Sequence, residues 1–79
     1  MVRIKKMDGS GHSCLAEKNG MAEWVPDDAD VSLDFAETVV RQHLNNGFML
    51  VDEMSKSIVG PEKLKGGSSF VLMPPVVGG

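Results

Sequence analysis

The sequence contains a single cysteine, Cys14, one tryptophan and no tyrosine. One cysteine excludes a disulfide framework within the chain, and a small domain without disulfides is typical of the reducing cytoplasm, where we expect this protein. Long apolar runs are also missing. Phe48–Val51 is far shorter than the ~20 residues that cross a bilayer, and Val2–Met7 alternates with charges instead of forming the apolar part of a signal peptide. We therefore expect no membrane partner.

Positive charge and aromatic side chains are scarce as well. The chain has 8 Lys and Arg against 11 Asp and Glu, which gives a net charge of −3, and it has no basic stripe with interleaved aromatics. This composition argues against nucleic acid as a partner, because nucleic-acid-binding proteins cluster Lys and Arg against phosphates and stack bases on aromatic rings. The two histidines and Cys14 are divided between two predicted elements and do not reach the four ligands of a structural zinc site. We expect neither a metal nor a bound cofactor.

The length of 79 residues predicts one domain with a small core, since a chain of this size buries about 60% of its unfolded surface. The hydrophobic pattern predicts the order strand, strand, helix, strand, short strand, strand. This order favours an α+β fold, with a mixed sheet of four to five strands and one helix packed across one face. Met21–Val25 is either a third short strand or an extension of the second. The predicted strands are Val2–Lys5, His12–Glu17, Phe48–Val51, Ile58–Val59 and Ser69–Met73.

The helix is predicted from an acidic lead and an apolar stripe. We interpret the lead, Pro26–Asp30, as structural, because carboxylates are favoured at the positive end of a helix dipole. Ser32 or Asp34 is the predicted N-cap, and Asp34 with Glu37 is a predicted capping box. Gly47 suits the left-handed position just after the helix. The apolar residues at helical spacing are Ala36, Val39, Val40 and Leu44.

Several side chains allow both a functional and a structural interpretation. His12 and Cys14 have the spacing of a nucleophile and its base on one strand face, but we favour a buried filler cysteine and a turn histidine, because nothing orients the base. Trp24 is either a lid over the small core, which we favour, or an exposed anchor for a partner. Arg3 and Lys5 alternate on the face opposite the helix and are interpreted as a solvated face.

The most specific feature is the C-terminal stretch, which runs from the last strand through two prolines to two glycines. Pro74 and Pro75 fix φ and cannot continue a ladder, so we expect them to end the last strand at Met73 and to direct the chain away from the sheet. The sequence therefore predicts a folded domain over residues 1–73 and a flexible tail over residues 74–79.

The tail is predicted to insert into a partner. Gly78 and Gly79 have no Cβ, so they can lie extended in a narrow slot. Val76 and Val77 expose apolar area unless a partner covers them. A frayed, inert end is the alternative. We expect the chain to end on the free carboxylate of Gly79, which favours the functional interpretation.

This tail resembles the end of the MoaD/ThiS sulfur-carrier group of ubiquitin-like β-grasp proteins, whose chains also finish strand–Pro-Pro-Val-x-Gly-Gly. The likeness extends upstream through Leu64–Phe70, where the family has a leucine, a turn with glycine and then the last strand. The resemblance implies a ubiquitin-like β-grasp fold. It also implies that partners dock on the open face of the sheet.

The resemblance further implies a carrier function. An E1-like adenylating enzyme would bind the tail through Pro74, Pro75, Val76 and Val77 and couple the Gly79 carboxylate to AMP, using its own ATP and Mg²⁺. A persulfide on a sulfur-donor protein then leads to a thiocarboxylate, which passes sulfur to an acceptor. The chain itself is a substrate and carrier, not an enzyme, and has no catalytic residue. Two alternatives stay open: a ubiquitin-like modifier attached to target lysines through Gly79, and a ubiquitin-fold interaction subunit whose tail does no chemistry.

Overall fold

The computed structural model describes residues 1–8, 11–66 and 69–75. Its elements follow the predicted order, with one strand added. They are β1 (Arg3–Asp8), β2 (Gly11–Lys18), β3 (Met21–Val25), the helix α1 (Leu33–Asn45), β4 (Met49–Asp52), β5 (Ser57–Val59), a short 3₁₀ helix (Pro61–Lys65) and β6 (Ser69–Met73).

These strands form one mixed sheet in the order β3-β2-β1-β6-β4-β5. The first and last strands, β1 and β6, lie side by side near its centre and run parallel, with Arg3 opposite Ser69 and Lys6 opposite Leu72. The other neighbours are antiparallel. A parallel pair needs a long crossover between its strands, and here α1 and the other strands lie within that crossover. The predicted α+β class is confirmed, and the arrangement is compatible with a β-grasp fold.

The sheet has six strands where four to five were predicted, because Met21–Val25 is a strand of its own. Asn19 and Gly20 connect it to β2, and both have positive φ, at 55° and 76°. A two-residue hairpin loop with positive φ at both positions is a type I′ turn, for which Asn-Gly is a preferred sequence. The turn reverses the chain sharply, so β3 pairs with β2 along its whole length instead of prolonging it.

Ser32 is the N-cap of α1, so it is the correct one of the two predicted alternatives. Its hydroxyl accepts a hydrogen bond from the Phe35 amide at 3.3 Å. The predicted capping box of Asp34 and Glu37 is wrong, because Asp34 already lies in the first helical turn. Glu37 instead accepts a hydrogen bond from Arg41 Nε, at 3.2 Å along the helix surface.

The helix ends in a Schellman motif. Gly47 follows the C-cap residue Asn46 and has φ +91°, which confirms its predicted left-handed position. Its amide donates to the carbonyl of Leu44 at 3.1 Å, and the Phe48 amide donates to the carbonyl of His43 at 3.0 Å. These two hydrogen bonds satisfy carbonyls of the last turn and reverse the chain, so β4 begins at once.

The core lies between α1 and one face of the sheet. The apolar stripe of α1 faces it as predicted, with Leu44 partly buried at the margin. Leu64 of the 3₁₀ helix closes the core from a loop and is fully buried. The buried cluster consists of Val2, Ile4, Leu15, Val31, Ala36, Val39, Val40, Leu50, Leu64, Phe70 and Leu72.

Candidate functional site

The root of the tail, by which we mean Met73, Pro74 and Pro75, follows a strand at the middle of the sheet. Met73, the last residue of β6, lies opposite Met49 of β4, and Pro74 and Pro75 follow outside the strand and are exposed. The prediction that the prolines end the last strand is confirmed. Because β6 is paired on both sides, the point at which the tail begins is fixed. The remaining predicted site residues lie outside the described residues, and their roles stay predictions: Val76, Val77, Gly78 and Gly79.

The sheet face opposite α1, which we call the open face, is organised by the pairing register. Successive side chains of a strand point to opposite faces, so the neighbours of the buried residues Ile4, Leu50 and Leu72 point away from the helix. Paired residues share a face, and the register places Val71 opposite Val51 and Val51 opposite Ile58. The open face therefore carries an apolar patch of side chains from four strands: Met7, Met49, Val51, Ile58, Val71 and Met73.

This apolar patch is accessible and adjoins the root of the tail through Met73. Ile58 is 67% exposed and Met7 36% exposed, and the other members are half-buried. Contiguous exposed apolar side chains mark interaction surfaces, and methionine adapts to irregular partners. Three of these members, Met7, Met49 and Met73, are methionines. The sequence did not reveal the patch as a unit, because its members are neighbours only through the register.

Ion pairs flank the patch on the side of β1. Arg3 lies between two carboxylates of the acidic segment, with Nη1 3.9 Å from Asp28 Oδ2 and Nε 3.6 Å from Asp30 Oδ1. This geometry supports the structural interpretation of the segment, which closes over the end of β1. Arg3 is about one-third exposed, so it is less solvated than the sequence predicted.

Lys5 takes part in a second polar group, on the central strands of the open face. Its Nζ lies 3.5 Å from Glu53 Oε1, which also accepts a hydrogen bond from the Ser69 hydroxyl. The Ser69 hydrogen bond lowers the pKa of Glu53, burial opposes this by a smaller amount, and the charge of Lys5 lowers the pKa further. Since the Ser69 hydroxyl and Lys5 both favour the charged form, Glu53 holds Lys5 in place beside the patch.

Cys14 is buried beneath the segment that joins β3 to α1. Its Sγ donates to the Ala29 carbonyl at 3.1 Å and accepts from the Ala29 amide at 3.3 Å. His12 is exposed and lies in β2, not in a turn as predicted. The hydrogen bonds of the thiol are thus made to backbone, which supports the filler interpretation of Cys14 and gives no support to a nucleophile–base pair.

Trp24 covers the margin of the core, as the lid interpretation predicted. It is half-buried against the core cluster, and its ring makes an edge-to-face contact with His43 at 5.6 Å between centroids. His43 in turn contacts Phe48 at 4.9 Å, and Lys6 Nζ lies 4.5 Å from the centroid of the Trp24 ring. These contacts fix β3 against the end of α1, so the indole ring packs within the domain.

Within residues 1–8, 11–66 and 69–75 no group of three or more His, Cys, Asp or Glu side chains is placed to hold a metal ion, and no cavity is found. In the same part of the chain, no helix is long and apolar enough to cross a bilayer. Comparisons of the chain with protein-family models, curated proteins and solved structures gave no match. The structure defines a small α+β domain, and its candidate site is the root of the tail together with the apolar patch.

Proposed function

We propose that this protein is a small carrier of the MoaD/ThiS kind, whose C-terminal carboxylate on Gly79 is activated by an E1-like enzyme and converted to a thiocarboxylate. The observation that carries the proposal is the placement of the tail root. β6 is held between β1 and β4, ends at Met73, and continues through two exposed prolines into Val-Val-Gly-Gly. A rigid strand followed by a stiff proline pair is suited to presenting a short arm to a deep site.

The residue types of the tail fit acyl activation. A carboxylate is a poor electrophile until its oxygen is replaced by a better leaving group. In the activating enzyme, the Gly79 carboxylate would attack the α-phosphorus of ATP and release pyrophosphate, with Mg²⁺ offsetting the phosphate charge. A persulfide sulfur then displaces AMP from the acyl carbon, and a second thiol reduces the resulting acyl disulfide to the thiocarboxylate. Terminal glycines allow the adenylating site to close around the reacting carbon, since they have no Cβ.

The apolar patch supports the same proposal from the folded domain. One of its members, Met73, is the last residue of β6 and directly precedes Pro74, so one partner surface can cover the patch and take up the tail. Binding through a rigid face raises the effective concentration of an adjacent arm at its own site. Affinity then depends on the patch, and reactivity depends on the last residues of the tail.

Intact-mass measurement tests the proposal directly. The purified chain, with a free Gly79 carboxylate verified by mass, is incubated with its adenylating enzyme, ATP, Mg²⁺ and a persulfide donor. We expect replacement of one oxygen by one sulfur at the terminus, and total loss of this product when Gly78 and Gly79 are deleted. A Gly-Gly remnant on lysines of other proteins would instead support the modifier. Unchanged function after the deletion would support the interaction subunit, and would contradict the carrier.

A further inference from the structure

Gly47, in the turn between α1 and β4, lies directly against the second proline of the tail. A Cβ placed on Gly47 would lie 3.3 Å from Pro75 Cβ and 3.6 Å from Pro75 Cγ. The shorter distance is tighter than nine in ten real Cβ contacts, so a side chain at residue 47 displaces either the turn or the proline. The contact joins two parts of the chain that are far apart in sequence.

The turn is the more rigid of the two partners. The Gly47 amide and the Phe48 amide donate to carbonyls of the last helical turn, at 3.1 Å and 3.0 Å, and β4 begins immediately afterwards in the sheet. Pro75 follows the sheet and is exposed. A clash between residues 47 and 75 would therefore move Pro75.

A displacement of Pro75 changes the point from which residues 76–79 continue. The proline ring fixes φ, so a change in the orientation of Pro75 is passed to the residues that follow it. Misplacement of a reacting group by about 1 Å can lower a rate by about 10²-fold.

We propose that Gly47 is a positioning residue for the tail: its bare Cα forms the seat of Pro75 and thereby sets the direction in which residues 76–79 leave the domain. The catalytic consequence rests on the proposed function, since it concerns the rate at which the Gly79 carboxylate is activated. The placement of Pro75 against Gly47 does not rest on the proposed function, and it is measured on the isolated protein.

A matched control separates the contact with Pro75 from the positive φ that the turn requires. Gly47 has φ +91° and Gly20 has φ +76°, so alanine is strained at both positions. A Cβ on Gly20 meets no atom within 4 Å. Gly47→Ala and Gly20→Ala thus share the left-handed strain, and only the first adds an atom against Pro75. Gly47→Asn is the second variant, because Asn tolerates the left-handed region but still carries a Cβ.

NMR of the isolated protein tests the placement. We expect nuclear Overhauser effects between the Gly47 Hα and the Pro75 ring protons. The amide shifts of residues 76–79 should change in Gly47→Ala and Gly47→Asn but not in Gly20→Ala. In a Pro75→Gly background, which removes the opposing atoms, Gly47→Ala should produce no further change in these shifts. Absence of the Overhauser effects, or equal shifts in Gly20→Ala, overturns the proposal.

Kinetics with the adenylating enzyme test the consequence. We expect Gly47→Ala to lower kcat for adenylation by about 10-fold or more while KM changes little, because the apolar patch is intact and only the arm is misdirected. Gly20→Ala should retain both constants. An unchanged kcat in Gly47→Ala contradicts the positioning role. If the wild-type chain is never adenylated, the proposed function fails, and the NMR result alone still decides whether Gly47 directs the tail.

Discussion

At the scale of single residues, the pairing of Glu53 with Ser69 and Lys5 predicts a pH dependence of stability. The pKa of Glu53 is lowered in the folded state, first by the hydrogen bond from Ser69 and then by the charge of Lys5. Its contribution is therefore fully present above the unfolded pKa, about 4.3 for a glutamate, and is lost as the pH falls through the lower folded pKa. Because the pair is about one-third exposed, we expect a contribution of only ~0.2–1 kcal/mol at neutral pH.

The measurement is the free energy of unfolding in urea at pH 7 and at successive steps below about pH 5. Glu53→Gln keeps an acceptor for the Ser69 hydroxyl and removes the charge, so it should be less stable than the wild type at pH 7 and approach it in acid. Glu17→Gln, at an exposed position of β2, is the control and should follow the wild type at all pH values. If the free energy of unfolding differed between Glu53→Gln and the wild type by the same amount at every pH, the assignment of this pH dependence to Glu53 would be contradicted.

The residues that sequence patterns identified are those that short-range rules determine. Leu64 is an apolar residue within a polar loop, and such a residue can satisfy the hydrophobic effect only in the core. Gly47 follows directly from the C-terminal geometry of a helix. The partners of Lys5 and the contact of Gly47 with Pro75 could not be predicted, because both depend on which strands are neighbours. A sequence pattern contains no information about such contacts between residues that are far apart in the chain.

At the scale of elements, the two edge strands carry exposed apolar residues in different surroundings. Ile58 on β5 is 67% exposed within the apolar patch, and Met21 on β3 is 71% exposed at the opposite edge of the sheet. Ile58→Lys should raise KM for the adenylating enzyme with kcat nearly unchanged, because it removes binding without touching the tail. Met21→Lys should leave both constants unchanged. Since both positions are exposed, each substitution should change stability by less than about 0.5 kcal/mol.

Other outcomes of the comparison between Ile58→Lys and Met21→Lys would contradict the role of the apolar patch. Equal effects of Ile58→Lys and Met21→Lys would mean that charge, and not the apolar patch, governs recognition. No effect of Ile58→Lys on KM would place the docking surface elsewhere. Thermal unfolding of both variants shows that the domain is intact and removes loss of folding as an explanation.

Element boundaries could be predicted where neighbouring residues in the sequence determine them. They could not be predicted where pairing with a distant strand determines them. Asn19 and Gly20 are a local turn signal, yet they did not settle whether β3 is separate, because only the pairing with β2 does so. The N-cap Ser32 directly follows Val31, whose amide and carbonyl pair with Val2 at 2.9 Å and 2.8 Å. This bridge keeps the chain extended up to Ser32, so the helix is already under way at Asp34, where the capping box was predicted.

At the scale of the whole molecule, the order of elements predicted the α+β class, but the strand order required the structure. Alternation and apolar runs show that a segment is a strand and which of its faces is buried. They do not show that the first strand runs parallel to the last. That pairing makes β6 structurally central, although it is the final element of the described chain. The tail consequently leaves from the middle of the fold.

The central position of β6 predicts a sharp difference between two truncations. A chain ending at Pro75 keeps every strand, so it should unfold within a few degrees of the full chain, given that ~1 kcal/mol shifts Tm by about 4–8 °C in a domain of this size. A chain ending at Gly66 loses the buried Phe70 and Leu72 together with both ladders of β6. Truncating one such side chain to alanine costs about 2–5 kcal/mol, and a 79-residue domain has roughly 4–12 kcal/mol in total.

Circular dichroism and urea unfolding of the two truncated chains check this prediction. We expect a cooperative transition for the chain ending at Pro75 and none for the chain ending at Gly66. Marked destabilisation of the longer chain would mean that residues 76–79 pack on the domain, which would contradict a boundary at Met73 and a free arm beyond it. If the longer chain is as stable as the full chain, nothing in the last four residues is needed for folding. Their apolar valines and paired glycines then have to be explained by what they bind.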